Sequence, residues 1–369
     1  MEPDEDEQLW KIMPAVRGVL AQPTDSEEMP YRPVILKPSG EESKEALEVD
    51  TLEPADSSEQ IRDKVKLAVE GYVRKHGSRP KVVSIKNIGT VNVVEPTAEP
   101  VLPLENKVAL VTGAAGAIGY GVCRALLDNG CLLAASDLPG ARLDDFAADL
   151  EEGAAGRVIG IGIDVTDQTS VKKGFGRVVQ TWGGMDIVVI NAGIALVSRL
   201  EEMDLEAFRR LEKVNVEGTL LTLRECAQYF AAQGTGGDIV VMSTKNVPCP
   251  GAGFGAYSAT KAACHQLGRI ASLELAQYGV RVNMVAPDAV FSEGRYKSGL
   301  WETVGLDRMK VRGLDEKGLH EYYRSRNLLK AKVTGRHVAN AVLFFVTHQT
   351  PTTGATIPVD GGLPDATPR

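Results

Sequence analysis

Beyond residue 107 the chain alternates short apolar runs with longer stretches in which apolar residues recur every three or four positions. Seven runs stand out: KVALVTG (107–113), CLLAASD (131–137), RVIGIGID (157–164), MDIVVINAG (185–193), GDIVVMST (237–244), VRVNMVAP (280–287) and ATIPVDG (355–361). Most are apolar at successive positions, the pattern of strands buried on both faces of a parallel sheet. Helical stretches separate them, except that residues 288–334 are of mixed character. Alternating β and α elements predict an α/β fold: a Rossmann-type, doubly wound parallel sheet of seven strands with right-handed crossovers.

The first hundred residues read differently. YRPVILK (31–37) and KVVSIK (81–86) look like short strands. Between them Ser57 and Gln60 have capping-box spacing. Ile61, Val65, Val69, Tyr72 and Val73 then recur at helical spacing until Gly77 stops the run. Residues 1–94 therefore predict an acidic segment with a small α/β unit. EPTAEPVLPLEN (95–106), with three prolines, reads as a linker. Residues 107–369 form the main domain, with a lid at about 288–334.

Charge separates the two parts further. Residues 1–60 hold 16 Asp and Glu against 5 Lys and Arg, a balance of −11 within a total of −8, so the remainder carries +3. An acidic segment before a near-neutral body argues against nucleic acid as a partner and predicts a solvated tail. If residues 1–100 are structural, deleting residues 1–56 should leave turnover intact, whereas deleting 1–100 exposes apolar surface. Cys123, Cys131, Cys226, Cys249 and Cys264 show no CxxC pairing, which fits a reducing compartment and argues against a zinc site. No apolar run approaches the roughly 18 residues of a membrane span, and the acidic start MEPDEDEQLW is unlike a secretory signal. A cytoplasmic protein with no membrane partner is expected.

Two stretches carry chemistry. TGAAGAIG (112–119) follows the first strand and opens a helix. Gly113, Gly116 and Gly119 allow a tight turn and let a pyrophosphate approach the helix N-terminus. Asp137 ends the next strand, where its carboxylate can accept the adenosine ribose hydroxyls and repel a 2′-phosphate. No Lys or Arg occurs among Ala114, Ala115, Leu138 and Pro139, so NAD is favoured over NADP. In MSTKNVPCPGAGFGAYSATK (242–261), Tyr257 and Lys261 share a helix face. An ammonium beside a phenol favours the phenolate and lowers its pKa, giving a proton carrier. A hydroxyl is needed to hold the substrate oxygen. Thr244 and Ser243 are the candidates, but strand alternation lets only one of them face the site; neither doing so also stays open.

Together these residues resemble the short-chain dehydrogenase/reductase family over about 260 residues from Lys107. Further matches are Asp164-Val165, Asn191-Ala192-Gly193, Asn215 and VDGG (359–362). The resemblance implies that Tyr257 is the general acid/base and that Lys261 holds the nicotinamide ribose. Thr244 takes the place of the family's serine, and Asn215 anchors a proton-relaying water. Gly113, Gly116, Ile118, Gly119, Asp137, Asp164, Val165, Asn191, Ala192, Gly193 and Pro287 border the cofactor. It also implies a homo-oligomer, tetramer or dimer, packed through the long helices.

TKNV (244–247), PDAVF (287–291), YYRSRNLLK (322–330) and VDGGLPDATPR (359–369) resemble a narrower group. It comprises the dehydrogenase halves of bacterial bifunctional aldolase/dehydrogenases and related sugar-alcohol-phosphate dehydrogenases. In that setting residues 1–100 are similar to a trimmed aldolase remnant, although His76 is the only histidine before residue 265, too few for an aldolase metal site. The implied function is NAD-dependent interconversion of a secondary alcohol and a carbonyl on a polyol, a sugar or its phosphate, or a small hydroxyaldehyde. The alternative is a catalytically silent NAD-binding regulatory or scaffold protein. Arg295, Lys297, Arg308, Lys310, Arg312, Lys317, Arg324, Arg326, Lys330 and Lys332 make the lid basic. Of these, Arg324, Arg326 and Lys330, with Lys245, can clamp a phosphate; Lys245 and Asn246, next to Thr244, can bind substrate. Tyr296, Trp301, Tyr322 and Tyr323 are candidates to line the pocket.

Overall fold

The computed structural model describes residues 5–364 except 40–42, 44, 50, 51, 54, 55, 87, 98, 99, 293–295, 297, 299, 300, 302, 303, 306, 307 and 310–312, with side chains from residue 12 onward. Arg295, Lys297, Lys310 and Arg312 of the basic segment lie outside the described residues.

The chain begins with helix α1 (Glu5–Leu20), which continues through Pro14 although that residue lacks a backbone donor. Strands β1 (Gln22–Pro23) and β2 (Tyr31–Arg32) pair as an antiparallel ribbon. Strands β3 (Ile35–Ser39), β4 (Leu47–Val49), β5 (Val82–Ile85) and β6 (Gly89–Val94) make a four-stranded sheet in the order β3-β6-β5-β4. Helix α2 (Ser58–His76) starts at the expected capping box and ends at Gly77, which takes the left-handed conformation with φ 71°. Its buried Ile61, Val65 and Val69 join one core with α1 and this sheet.

Residues 12–20 are therefore not a solvated tail. Met13, Ala15, Val16 and Leu20 are at most 2% exposed. Beside them Arg17 is buried, with Nη2 on Asp186 Oδ2 at 2.6 Å and Nη1 on Asp186 Oδ1 at 3.1 Å. Its Nη1 also donates to Gln233 Oε1 at 2.9 Å, and its Nε to the Val34 carbonyl at 2.9 Å. Removing residues 1–56 would strand this buried carboxylate, so such a deletion is expected to cost stability.

The seven apolar runs fold as β7 (Val108–Thr112), β8 (Leu132–Asp137), β9 (Val158–Gly162), β10 (Ile187–Ile190), β11 (Gly237–Met242), β12 (Val280–Pro287) and β13 (Thr356–Val359). All are parallel, in the order β13-β12-β11-β10-β7-β8-β9. Alternation along each central strand divides its side chains between two cores. Val108, Leu110, Val188, Ile190, Ile239 and Val241 enter the core shared with α1 and α2, together with α5 (Gln168–Trp182) and α7 (Gly218–Gln233). Ala109, Val111, Ile187, Val189, Val240 and Met242 enter the other, under α3 (Ala117–Asp128), α4 (Ala141–Glu151) and the helix Gly335–Val346. Between α6 (Leu205–Glu212) and α7, a π-type turn spans Lys213–Glu217 with buried Asn215 at its centre. Helix α8 (Gly255–Glu274) packs against β11 and β12. The crossover at β7/β10 opens a crevice beyond the carboxyl ends of the strands, the place where open α/β sheets take ligands.

Candidate active site

One cleft of about 1430 Å³ runs over those carboxyl ends, from the glycine loop after β7 to the lid. At the loop, Gly113 has φ 61°, and a Cβ there would come within 2.7 Å of Ala192 Cα. At Gly119 a Cβ would lie 2.4 Å from the Ala114 carbonyl oxygen, so α3 settles directly on the loop. Gly116 is the N-cap, and no side chain caps the helix. The first N–H groups of α3 thus face the cleft beside Ile118, a cradle that fits a pyrophosphate.

Asp137 borders the same cleft, accepting the Ala115 and Leu138 N–H groups at 2.9 Å each. Arg142 stands beside it, donating from Nη2 to the Ala115 carbonyl at 2.9 Å. The sequence reading passed over Arg142, which the first turn of α4 brings back to this rim. Asp164 accepts the Thr166 N–H and hydroxyl at 2.9 and 2.8 Å, fixing the turn that carries Val165. Asn191 Nδ2 donates to the Thr112 and Gly113 carbonyls at 3.1 and 2.8 Å, stapling the end of β10 to the glycine loop. Asn191, Ala192, Gly193 and Pro287 all line the cleft.

Ser243 and Thr244 diverge as alternation requires. Ser243 Oγ lies 2.9 Å from His265 Nδ1, whereas Thr244 Oγ1 accepts the Asn246 N–H at 3.3 Å and lies 3.4 Å from the Pro287 carbonyl, in the cleft that the Tyr257 phenol also lines. Tyr257 and Lys261 lie one turn apart on α8. The expected lowering of the Tyr257 pKa by Lys261 is not what the structure holds. Burial raises the phenol to about 12, with Thr244 pulling the other way. Lys261 instead donates to the Met242 carbonyl at 2.9 Å, and burial lowers its own pKa. Asn215 acts as a clasp: Oδ1 accepts the Ile194 N–H at 2.9 Å, and Nδ2 donates to the Ile194 carbonyl at 3.0 Å and to Thr260 Oγ1 at 3.1 Å. It ties the segment after β10 to α8. A π-type turn at that point fits the frequency of such turns at functional sites.

At the outer end, Lys245, Asn246, Asp288, Arg308, Tyr323 and Arg326 line the cleft. Arg326 is held by both oxygens of Asp288, and its guanidinium lies 4.4 Å over the Tyr323 ring. Arg324 is elsewhere. It is exposed, paired with Glu321 through two 2.7 Å bonds, and does not reach the cleft. Lys330 donates to the Ser325 carbonyl and also stays outside. The phosphate clamp read from Arg324 and Lys330 is corrected accordingly. Arg324 stands in the last turn of the helix Glu316–Ser325 and Arg326 is its C-cap; two positions apart at roughly 3.6 residues per turn, they lie about 200° apart and part. Asp288 and Arg308 take their place; neither was distinguishable in sequence from neighbouring charges. Of the four aromatics, Tyr322 and Tyr323 line the cleft. Trp301 packs in the lid's own small core, and Tyr296 stacks on Tyr120 with ring centroids 4.4 Å apart.

Among the described residues, no helix is long and apolar enough to cross a membrane, and no cluster of three His, Cys, Asp or Glu is placed to hold a metal. The family profile for short chain dehydrogenase matches residues 107–302. An uncharacterized oxidoreductase, YuxG, of Bacillus subtilis is 34% identical over 274 residues, 74% of this chain but 39% of its own length; this chain thus spans about two fifths of that relative. Sorbitol dehydrogenase of Cereibacter sphaeroides is 34% identical over 190 residues, 52% of this chain and 73% of its own. The crystal structure of sorbitol-6-phosphate 2-dehydrogenase from Erwinia amylovora superposes with a TM-score of 0.64 at 26% identity, covering 69% of this chain and 98% of that one.

Proposed function

The chain belongs to the short-chain dehydrogenase family, and from that premise we propose that it is an NAD-dependent oxidoreductase interconverting a secondary alcohol and a carbonyl on a polyol or sugar. The observation that carries this is the meeting of Thr244, Tyr257 and Lys261 in the cleft that the glycine loop also lines. The relatives named for sorbitol and its phosphate support a polyhydroxylated substrate.

The glycine loop and α3 would hold the pyrophosphate, Asp137 the adenosine ribose, Val165 the adenine edge, and Lys261 the nicotinamide ribose. When bound, the nicotinamide supplies the hydride acceptor for the carbinol carbon. The chain does the rest. Thr244 holds the substrate oxygen, and Tyr257 as phenolate takes its proton. In reduction the neutral phenol gives the proton back. Reduced-nicotinamide formation against a panel of polyols, 1,2-diols and polyol phosphates tests this reading. Turnover of a polyhydroxylated compound is expected; cofactor binding without turnover of any compound would move the protein to a regulatory role.

Asp137 supports NAD, because a carboxylate beside a 2′-phosphate is a like-charge contact costing several kcal/mol. Arg142 supplies a nearby countercharge once that carboxylate is gone. Asp137→Ser is therefore expected to shift the NAD/NADP ratio of kcat/KM toward NADP by roughly 30-fold, about 2 kcal/mol. An unchanged ratio would show that Asp137 does not set cofactor choice.

Leu220, Ile270 and Leu273 stand exposed on α7 and α8, and we propose that this face pairs with a second copy. A solution mass above the 39.5 kDa of one chain is expected, and a monomer would contradict it.

A further inference from the structure

Among the described residues, the outer end of the cleft holds more positive charge than its acids balance. Lys245 is 9% exposed and Arg308 8%. With Arg326 they make three cations facing one carboxylate, Asp288, which is committed to Arg326. Arg308 lies with its guanidinium 4.2 Å over the Phe254 ring, and its buried Nε has no hydrogen-bond partner. Among the described residues, no carboxylate pairs with Arg308 or Lys245. Lys245 Nζ has the Cys249 carbonyl at 3.2 Å. Next to it, buried Asn246 Oδ1 and Arg326 Nε are also unpartnered. Unpaired buried cations are costly unless a ligand completes them. Burial depresses the Lys245 pKa, and the neighbouring Arg326 and Arg308 act in the same direction against the support of Asp288.

We propose that Lys245 and Arg308 bind the dianionic phosphate of a phosphomonoester substrate, with Arg326 steadied by Asp288 beside them and Asn246 taking a substrate hydroxyl. This rests on the dehydrogenase reading and narrows its substrate. Two free cations match a dianion; a carboxylate would leave one of them unpaired. The planar Arg308 fork also suits tetrahedral phosphate oxygens.

Kinetics on matched pairs, a polyol and its monophosphate, with the corresponding aldonate as a carboxylate arm, tests this directly. The protein is expected to prefer the phosphate over the neutral polyol by at least about 30-fold in kcat/KM, the scale of one desolvated charge pair. Arg308→Gln and Lys245→Gln are each expected to pull that ratio toward one through KM, and Arg308→Lys to keep part of it. Equal efficiency on both compounds, a preference for the aldonate, or a ratio untouched by either variant would overturn the proposal. Calorimetric titration with inorganic phosphate reads the site without turnover. Binding lost in Arg308→Gln supports the site even if the dehydrogenase reading fails, and no binding to the unaltered protein counts against it.

Discussion

Tyr257→Phe is expected to lower kcat/KM for alcohol oxidation by roughly 10²- to 10⁴-fold, the usual scale of general acid–base catalysis, while NAD still binds. The Tyr257 phenol lines the cleft with Thr244 and Lys261 and carries a proton it can release and regain. Phenylalanine keeps the ring and its packing beside Phe254, whose centroid lies 6.1 Å away, so loss of fold is not the expected cause. The pH dependence carries the same signature. Burial holds the phenol near 12, so the neutral acid dominates at pH 7 and is ready to protonate a carbonyl oxygen. Oxidation needs the phenolate, and its rate is expected to climb with pH toward that value. Initial rates in both directions across pH check this. A Tyr257→Phe variant that keeps the rise would assign it to another group.

Arg17→Met carries the second large effect, on stability rather than chemistry. The change removes the partner of a fully buried Asp186, and breaking such a pair costs about 3–5 kcal/mol. Burial by itself would raise the Asp186 pKa. The charges of Arg17 and Lys107 and the bonds from Arg17 and the Val108 N–H hold it below its ordinary 3.8. A depressed carboxyl contributes stability that is complete above the unfolded value and is lost as pH falls through the folded one. The native protein should thus lose stability below 3.8, and Arg17→Met should lose it at neutral pH already. Denaturant midpoints measure both; a change under about 1 kcal/mol in Arg17→Met, the range of an exposed pair, would contradict the account. Turnover per folded molecule should change little. Asp186 lies at the entry of β10 and Asn191 at its exit, roughly 17 Å of strand apart.

The seven-stranded sheet was legible because each run is buried on both faces, which leaves successive apolar residues in the sequence. Helix α1 was not. Its acids and Pro14 mask the register of Met13, Val16 and Leu20, and a buried Arg17 looks in sequence like any surface arginine. Strand β6 was missed because GTVNVV runs into the proline-rich segment, and β4 because three residues carry no period. At the site, the groups legible in sequence are those close together along the chain: the glycine loop and the Tyr257/Lys261 pair. Strand alternation showed that Ser243 and Thr244 must part, but not that the Ser243 hydroxyl would meet His265. The meeting of Arg326 with Asp288, the arrival of Arg308 over Phe254, and the return of Arg142 to Asp137 depend on tertiary contacts. The same is true of the Tyr257 pKa, where burial outweighs the lowering influence of Thr244.

The most direct measurement follows the hydrogen itself. Polyols and polyol phosphates deuterated at their secondary carbinol carbons are incubated with the protein and NAD, and the cofactor is analysed by mass spectrometry. The account predicts deuterium on the reduced nicotinamide, with its rate of appearance falling sharply in Tyr257→Phe. Bound cofactor that acquires no deuterium from any of these compounds would contradict it.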